Sequence, residues 1–293
     1  RVRPVFADID PYTLNMDPVE VEKKISSRTR ALLPVHVFGN PCSMDSLMYL
    51  AQKHRLAVIE DACESLGAQY HGRNVGTFGE CGIFAFYPNK QMTTGEGGMI
   101  VTDRDEIARM ARSLRNQGRD DPNEWLTHRR LGYNYRISDV LCAIGVAQLE
   151  RLREMDQQRE RVASLYLKHL QGMPEVVTPL TTEGSSKSWF IFSVMLTQEF
   201  GRFERDRLVE GLRSRGISAQ RYFPAIHLLP FYREMFNFKE GDFPVTESVA
   251  GRSLALPFYG SLDEGQVCHV VDSLRKEISL LSRDVRGSSV AVR

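Results

Sequence analysis

The stretch that decides the fold is Val58-Ile59-Glu60-Asp61-Ala62-Cys63-Glu64, together with the later stretch Phe84-Ala85-Phe86-Tyr87-Pro88-Asn89-Lys90. In each stretch, apolar residues typical of a strand lead into polar and charged residues. Helix-like segments lie between such strands along the N-terminal half, which predicts βαβ units and a mostly parallel sheet. Ligands of parallel sheets lie at the carboxyl ends of the strands, so Asp61, Glu64 and Lys90 are candidate site residues.

Strand and helix patterns alternate from the N-terminus to about residue 117. The predicted strands are residues 5–7, 31–38, 56–59, 82–87 and 99–102. Helices are predicted at Pro18–Lys24 and Met44–His54, directly after the candidate capping residues Asp17 and Ser43. The alternation predicts an α/β fold for this part of the chain.

The C-terminal half follows a different pattern. One long helix is predicted from residue 138 to about residue 170, joining two domains, and a closing helix at residues 262–281. Between them lie predicted strands at 189–196 and 217–223 and a helix at 203–215. We therefore predict a large domain over residues 1–155 and a smaller C-terminal α+β domain over residues 156–293. Because the sequence opens at Arg1 in an apolar stretch, we expect that the N-terminal part of the large domain is missing.

Composition narrows the classes of function. The chain has 293 residues, is 42% hydrophobic and carries a formal charge of +1. A charge so close to zero argues against nucleic acid or an anionic membrane as a partner, and no apolar run is long enough to span a bilayer. The five cysteines show no C-x-x-C spacing and are predicted to be free thiols of a cytoplasmic protein. The seven histidines form no metal-binding pair, so no metal site is predicted.

Two of the candidate residues have a direct chemical interpretation. An aromatic strand and Pro88 lead into Lys90, and a lysine desolvated among apolar neighbours can attack a carbonyl as a neutral amine. Asp61 is either a helix cap or a partly buried carboxylate that faces a cationic ligand atom.

Two further segments have a polar, glycine-rich or aromatic character. Residues 93–98 read Thr-Thr-Gly-Glu-Gly-Gly and match neither phosphate-loop fingerprint. Residues 132–136, which read Gly-Tyr-Asn-Tyr-Arg, are suited either to an anion contact or to a structural turn.

Three sequence blocks together carry a resemblance to a known family. VIEDACESLGA (58–68), FAFYPNKQMTTGEGGMIVT (84–102) and GYNYRISD (132–139) resemble the DegT/DnrJ/EryC1/StrS family, and the match is collinear from Pro4 to about Leu281. Members of that family are enzymes dependent on pyridoxal 5'-phosphate (PLP), and most are nucleotide-sugar aminotransferases. The resemblance implies the PLP-transferase fold of type I, with a large domain whose mostly parallel sheet is flanked by helices.

The resemblance assigns cofactor-binding roles by position. Lys90 matches the lysine that forms the Schiff base with PLP and then moves protons, which makes it the predicted catalytic residue. Asp61 matches the carboxylate that pairs with the pyridine nitrogen. Glu64 falls near the ring hydroxyl, where relatives often carry Gln or His. Asn134 matches the residue that reaches the cofactor phosphate of the neighbouring subunit, which implies a homodimer with shared active sites.

Other positions are expected to contact substrate or depart from the family pattern. Tyr87, Arg136 and His227 are candidate substrate-binding residues, although His227 also suits a structural role. Ala85 stands where many relatives have a serine that contacts the phosphate. The family's Gly-Thr or Gly-Ser turn, which would donate backbone N–H groups to the phosphate, does not occur before Asp61.

The resulting hypothesis is a PLP-dependent transaminase that moves an amino group from an amino-acid donor, glutamate in the first instance, to a nucleotide-linked keto-sugar. A sugar dehydratase of the same family would replace the lysine with histidine, so Lys90 argues against that reaction. The alternative from another class is a non-catalytic or regulatory homologue, or an inactive truncated fragment.

Overall fold

The computed structural model describes residues 2–120 and 126–290, with side chains described up to residue 281. The helices are α1 (Pro18–Lys24), α2 (Met44–His54), α3 (Asp105–Arg115), α4 (Asp139–Glu150), α5 (Leu152–His169), α6 (Arg202–Ser214), α7 (Pro230–Phe236), α8 (Pro244–Arg252) and α9 (Glu264–Val290). The strands are β1 (Ala31–Leu32), β2 (Ala57–Asp61), β3 (Gln69–Tyr70), β4 (Arg73–Asn74), β5 (Cys81–Ala85), β6 (Gly98–Val101), β7 (Val176–Val177), β8 (Ser185–Ser186), β9 (Phe192–Leu196), β10 (Gln220–Arg221) and β11 (Ser253–Leu256). Among these described helices, none is long and apolar enough to cross a membrane.

The described residues form two compact units. The α/β unit comprises Ile25–Glu154 and Thr181–Phe190, and the α+β unit comprises the described parts of Arg1–Lys24, Met155–Leu180 and Ile191–Arg293. The predicted division into domains 1–155 and 156–293 stays a prediction about folding domains. The two compact units differ from that division at the N-terminal segment and at residues 181–190, each of which packs with the other half of the chain.

The sheet of the α/β unit is mostly parallel, as predicted. Its strand order is β1-β2-β5-β6, in which β1, β2 and β5 run parallel and β6 runs antiparallel to β5. The connection from β5 to β6 folds back on itself, since the Phe86 amide donates to the Gly97 carbonyl and the Thr94 amide to the Phe86 carbonyl. A connection closed in this way returns the chain as a hairpin rather than as a crossover.

Helix α2 shows why the sequence pattern predicted this unit well. Met44, Leu47, Leu50 and Ala51 lie on one face at helical spacing and are buried beside β1 and β2. The helix is capped at its C-terminus by Arg55, which has a left-handed backbone conformation and whose amide donates a hydrogen bond to the Ala51 carbonyl. The bounds of both α1 and α2 agree with the prediction.

The α+β unit contains an antiparallel sheet of order β10-β11-β9-β7, against which α6 and α8 pack. Every residue of β9 and β11 is buried, and α6 inserts Leu208 and Leu212 into the same core. Tyr166 stacks on Phe192 with 4.6 Å between ring centroids, and its hydroxyl donates to the Pro257 carbonyl at 2.7 Å. Burial on both faces explains why β9 lacks the alternation of a half-exposed strand.

Some predicted element bounds were wrong. The single helix predicted from residue 138 is two helices, because the backbone leaves helical geometry at Arg151, whose amide bonds back to Gln148. The strand predicted at 217–223 is reduced to Gln220–Arg221, and the closing helix continues to Val290.

The apolar run at residues 5–7 is not a strand. Phe6 instead joins an aromatic cluster with Tyr232, Phe238 and Phe243, at centroid distances of 5.1 to 6.2 Å. Asp8 accepts hydrogen bonds from the amides of Val245 and Thr246 at the start of α8. Side-chain packing and helix capping thus replace the strand pairing that an apolar run suggests.

The α+β core makes a specific stability prediction. Leu208→Ala should lower the free energy of unfolding by about 2–5 kcal/mol, because it leaves a cavity among fully buried side chains. Phe203→Ala is the matched control on the same helix, and since Phe203 is largely exposed its effect should stay within about 0.5 kcal/mol. Urea unfolding followed by circular dichroism measures both, and equal losses in the two variants would contradict this packing.

Candidate active site

Asp61 occupies the carboxyl end of β2 and is held there by backbone bonds on both sides. Its amide donates to the Pro34 carbonyl at 2.8 Å, and its carbonyl accepts from the His36 amide at 3.0 Å. On the other side, the next amide, that of Ala62, donates to the Ile83 carbonyl of β5. The Asp61 carboxylate accepts from the Cys63 amide at 3.1 Å in a tight turn, and no helix begins there among the described residues, so Asp61 is not a helix cap.

Lys90 and Glu64 form an ion pair beside Asp61. The Lys90 Nζ lies 3.7 Å from Glu64 Oε1, and the side chains are only 15% and 11% exposed. The other carboxylate oxygen of Glu64 accepts from the Phe38 amide at 3.0 Å. Burial raises the pKa of Glu64, the Phe38 amide and the Lys90 ammonium lower it, and the charge of Asp61 raises it, with a net increase. The structure thus brings Asp61, Glu64 and Lys90, all predicted from the sequence, into one electrostatic cluster.

The surroundings of Lys90 combine an aromatic face with a fixed backbone. Its Nζ lies 4.4 Å from the centroid of the Phe190 ring, and its amide donates to the Tyr87 carbonyl at 3.0 Å. The ring attracts a cation while excluding water from one side of the amine. This is the partly desolvated setting that the sequence predicted for Lys90.

Gln91 is a component of the site that the sequence did not reveal. Its side chain is 2% exposed, and its Nε2 donates to the Glu64 carbonyl and to Ser188 Oγ. Ser188 Oγ in turn donates to the Leu66 carbonyl at 2.6 Å. Gln91 therefore ties the Lys90 loop to the segment that carries Glu64. Its position next to Lys90 was the only available signal, because Ser188 lies far away in the sequence.

Cys63 lies in the same cluster but is not a nucleophile. Burial raises the pKa of its thiol to about 12, and the hydrogen bond and charge of Asp61 act in the same direction. A thiol with that pKa stays protonated near neutral pH, and only the thiolate is reactive. Lys90 is therefore the candidate nucleophile of this cluster.

The remaining predicted residues lie outside the ion-pair cluster. Asn134 and Arg136 belong to an exposed loop, where the Arg136 guanidinium donates to Asn116 Oδ1 and the backbone of Asn134 bridges to that of Asn116. Tyr87 is half-exposed in the turn before Lys90. The proposed contacts of Tyr87, Asn134 and Arg136 with ligands stay predictions.

His227 is a buried residue of the α+β unit. Its Nε2 lies 2.9 Å from Glu247 Oε1, and its ring meets Phe243 at 4.7 Å between centroids. Glu247 also accepts from the amides of Gly241 and Phe243, so this network organises the turn before α8. The observed contacts of His227 are those of a structural histidine, and a contact with substrate stays a prediction.

The loop after β5 uses its own hydroxyl groups internally. Thr93 Oγ1 donates to the Phe86 carbonyl and Thr94 Oγ1 to the Glu96 carbonyl. Gly97, at φ 156°, leaves no room for a side chain, because a Cβ there would meet Thr94 Oγ1 and the Ile137 side chain. The threonines and glycine of this loop therefore stabilise a compact turn, and Lys90 lies in that turn.

Known proteins resemble this chain over most of its length. The sequence profile of the DegT/DnrJ/EryC1/StrS aminotransferase family matches residues 1–275. GDP-perosamine synthase of Caulobacter vibrioides is 37% identical over 272 residues, which cover 92% of this chain and 72% of that protein. The dTDP-3-amino-3,4,6-trideoxy-alpha-D-glucose transaminase of Streptomyces venezuelae is 36% identical over 263 residues, which cover 89% of this chain and 67% of that protein.

A solved structure shows the same fold at a similar level of identity. S. venezuelae DesV in complex with a ketimine intermediate superposes with a TM-score of 0.86 at 36% identity, covering 93% of this chain and 71% of that chain. The residues present fit PLP, because Lys90 and Asp61 place an amine that could react with its aldehyde and a carboxylate that could pair with its ring nitrogen in one partly buried cluster. Two buried polar atoms without a partner among the described residues, Ser65 Oγ and Gln91 Oε1, belong to the residues next to Glu64 and Lys90 and leave bonding capacity there. The chain therefore belongs to the DegT/DnrJ/EryC1/StrS aminotransferase family and is a PLP-dependent aminotransferase.

Proposed function

We propose that this protein transfers an amino group from an amino-acid donor, glutamate in the first instance, to a keto-sugar linked to a nucleoside diphosphate. The observation that carries the proposal is the cluster of one amine and two carboxylates formed by Lys90, Asp61 and Glu64. The names of the relatives, GDP-perosamine synthase and a dTDP-amino-sugar transaminase, support a nucleotide-linked sugar as the acceptor.

Lys90 and Asp61 have distinct proposed roles in this chemistry. PLP, when bound, supplies an aldehyde that reacts with amines and a ring that takes up electrons. Lys90 Nζ would take the proton from the substrate carbon that bears the nitrogen, which requires an amine held close to that carbon. Asp61 would hold a proton at the pyridine nitrogen, and the backbone bonds on both sides of Asp61 fix where its carboxylate projects.

Glu64 is proposed to contact the cofactor ring, where its protonation state matters. Its carboxylate has one backbone donor, the Phe38 amide, and the Lys90 ammonium as its partners. Any reaction that consumes the positive charge of Lys90 removes one of these partners. Burial already raises the pKa of Glu64, and loss of the Lys90 charge would raise it further.

Assembly into a homodimer belongs to the same proposal. Helix α4 is rich in apolar residues, yet Gly145 is its only buried residue, and Val140 is 72% exposed. Apolar helices of soluble proteins are normally covered, so a second copy is the proposed partner of this surface. Asn134 lies in the loop before α4, and its proposed contact is with the cofactor phosphate of the neighbouring subunit. A cytoplasmic location is likewise proposed.

The proposed reaction predicts a defined product. The protein, supplied with PLP and glutamate, should convert one of a panel of UDP-, dTDP- and GDP-linked keto-sugars to its amino sugar, which mass spectrometry detects. If PLP binds but no member of the panel is aminated, the sugar assignment is wrong. If PLP does not bind either, the proposed cofactor-binding roles of Lys90 and Asp61 are wrong.

Lys90 should be the only lysine that PLP modifies. Borohydride reduction in the presence of PLP, followed by peptide mass spectrometry, should place the cofactor on Lys90, and Lys90→Ala should lower turnover by at least about a thousandfold. Lys187→Ala is the matched control, because Lys187 also lies over an aromatic ring, that of Trp189, at 4.2 Å. Retained turnover in Lys90→Ala would rule out the assigned role.

Glu64 should give the cofactor-free protein a characteristic pH dependence. Its folded-state pKa lies above the ordinary value of 4.5, so the folded state binds more protons than the unfolded state. The free energy of unfolding of the wild type should therefore fall, relative to Glu64→Gln, as the pH rises above 4.5 towards the folded-state pKa.

Urea unfolding at a series of pH values measures this difference. Glu106→Gln, which changes an exposed carboxyl group, serves as the control and should track the wild type at every pH. A wild type that gains stability relative to Glu64→Gln over the same range would reverse the sign and contradict the assignment.

The dimer proposal predicts a change of mass in one variant. The wild type should sediment at about twice its chain mass of 33.4 kDa, and Val140→Glu should shift it towards the monomer. Phe203→Glu, which charges a similarly exposed apolar residue on α6, should leave the dimer intact. A wild type that sediments as a monomer would refute the proposed assembly.

A further inference from the structure

Glu60 lies one residue before Asp61 and is the most completely bonded carboxylate in the α/β unit. It is 0% exposed and accepts from three backbone amides, those of Gly76 at 2.7 Å, Phe78 at 2.6 Å and Gly79 at 2.9 Å. A fourth contact, to His36 Nε2, measures 3.2 Å. Burial raises the pKa of Glu60, but the bonds from His36, Gly79 and Gly76 outweigh it and hold the pKa below its usual value.

The hydrogen bonds of His36 define its tautomer. The Cys42 amide donates to His36 Nδ1 at 3.0 Å, so that nitrogen carries no proton. The proton of the neutral ring is then on Nε2, which donates to Glu60. His36 is 0% exposed, so its ring has a single orientation with both nitrogens bonded.

The segment that carries His36 is also hydrogen-bonded to the backbone of Asp61. The His36 amide donates to the Asp61 carbonyl at 3.0 Å, and the Asp61 amide donates to the Pro34 carbonyl at 2.8 Å. Residues 34–36 are thus attached to the end of β2 twice, by their backbone at Asp61 and by the His36 side chain at Glu60. On the opposite side, three backbone amides of the turn at residues 76–79 donate to the Glu60 carboxylate.

We propose that Glu60 and His36 are positioning residues that fix the backbone from which the Asp61 carboxylate reaches the cofactor ring nitrogen. The inference rests on the proposed role of Asp61. Side chains of neighbouring strand residues point to opposite faces, so Glu60 does not itself contact what Asp61 contacts. It acts through the two segments that it holds on either side of the strand end.

A double-mutant cycle separates positioning from general support of the fold. Glu60→Gln should raise the dissociation constant for PLP, measured by fluorescence titration of the cofactor-free protein, by about tenfold. In an Asp61→Asn background, the same change should alter the dissociation constant by less than about twofold, because the group that it positions is already lost. An equal factor in both backgrounds would show a merely structural role and overturn the proposal.

A spectroscopic measurement tests the same point without turnover. PLP labelled with ¹⁵N in its ring should show the protonated nitrogen in the wild type at neutral pH and a reduced protonated fraction in Glu60→Gln. An unchanged ring signal in a folded Glu60→Gln variant would also overturn the proposal. Both readouts concern cofactor binding only, so a failure to aminate any keto-sugar would sink the proposed function and leave this inference standing.

Two further variants guard against misinterpretation. His36→Gln removes one of the four contacts of Glu60 and leaves the three backbone bonds, so it provides the same cycle if Glu60→Gln does not fold. Its expected effect on the dissociation constant has the same sign and is smaller. Glu80→Gln is the control, because Glu80 follows the bonded turn but pairs with Arg104 at the surface, and it should change neither readout.

Discussion

A buried carboxylate that cannot contact solvent needs hydrogen-bond donors from the protein. In the α/β unit, Glu60 is such a carboxylate, and the surrounding chain has to supply its donors. An unpaired buried charge is among the most destabilising features that a fold can contain. The chain meets the condition with three backbone amides of one turn and one imidazole of another segment. Residues 34–36 and residues 76–79 are therefore fixed against the end of the strand that carries Asp61. The position of the Asp61 backbone thus depends on the burial of Glu60.

Glu60 and Glu64 have opposite environments, and this difference distinguishes a structural carboxylate from one that is suited to take part in a reaction. Glu60 has four donors and a pKa held below its usual value, whereas Glu64 has one backbone donor and a pKa raised by burial. A group with all its bonding capacity used can only hold its surroundings in place. A group with unused capacity, beside an amine and in a partly buried cluster, is able to exchange partners during a reaction, and perturbed groups of this kind concentrate at active sites.

The sequence was sufficient for features that depend on local pattern. Helices α1 and α2 and the strand leading to Asp61 follow from apolar spacing and turn residues, and the side chains at the strand ends follow from the rule for parallel sheets. The interruption of the helix at Arg151 was not predicted. Charge pairs at i, i+3 and i, i+4 indicate a helix on both sides of Arg151, but they do not reveal a break of one residue. The segment at residues 5–7 was missed because apolar content does not distinguish pairing with a strand from packing against aromatic rings.

Contacts across long separations could not be read from the sequence at all. Gln91 is bonded to Ser188, and Glu60 to His36, through distances along the chain that no spacing rule covers. A buried glutamate also looks identical in sequence to an exposed one. These contacts decide how Lys90 and Asp61 are held, so the sequence predicted candidate residues for the chemistry but not the contacts that orient them.

The field of the two acids beside Lys90 determines which chemistry the cluster can support. Burial is the main reason that the neighbouring thiol of Cys63 stays protonated, and the hydrogen bond and negative charge of Asp61 act in the same direction. The negative charge of the neighbouring carboxylates stabilises positive charge on a ligand atom. A cluster of this kind therefore favours a cationic ring nitrogen over an anionic ligand group. The anionic phosphate of the cofactor must then be bound away from these carboxylates, by donors such as backbone N–H groups or residues of a neighbouring subunit.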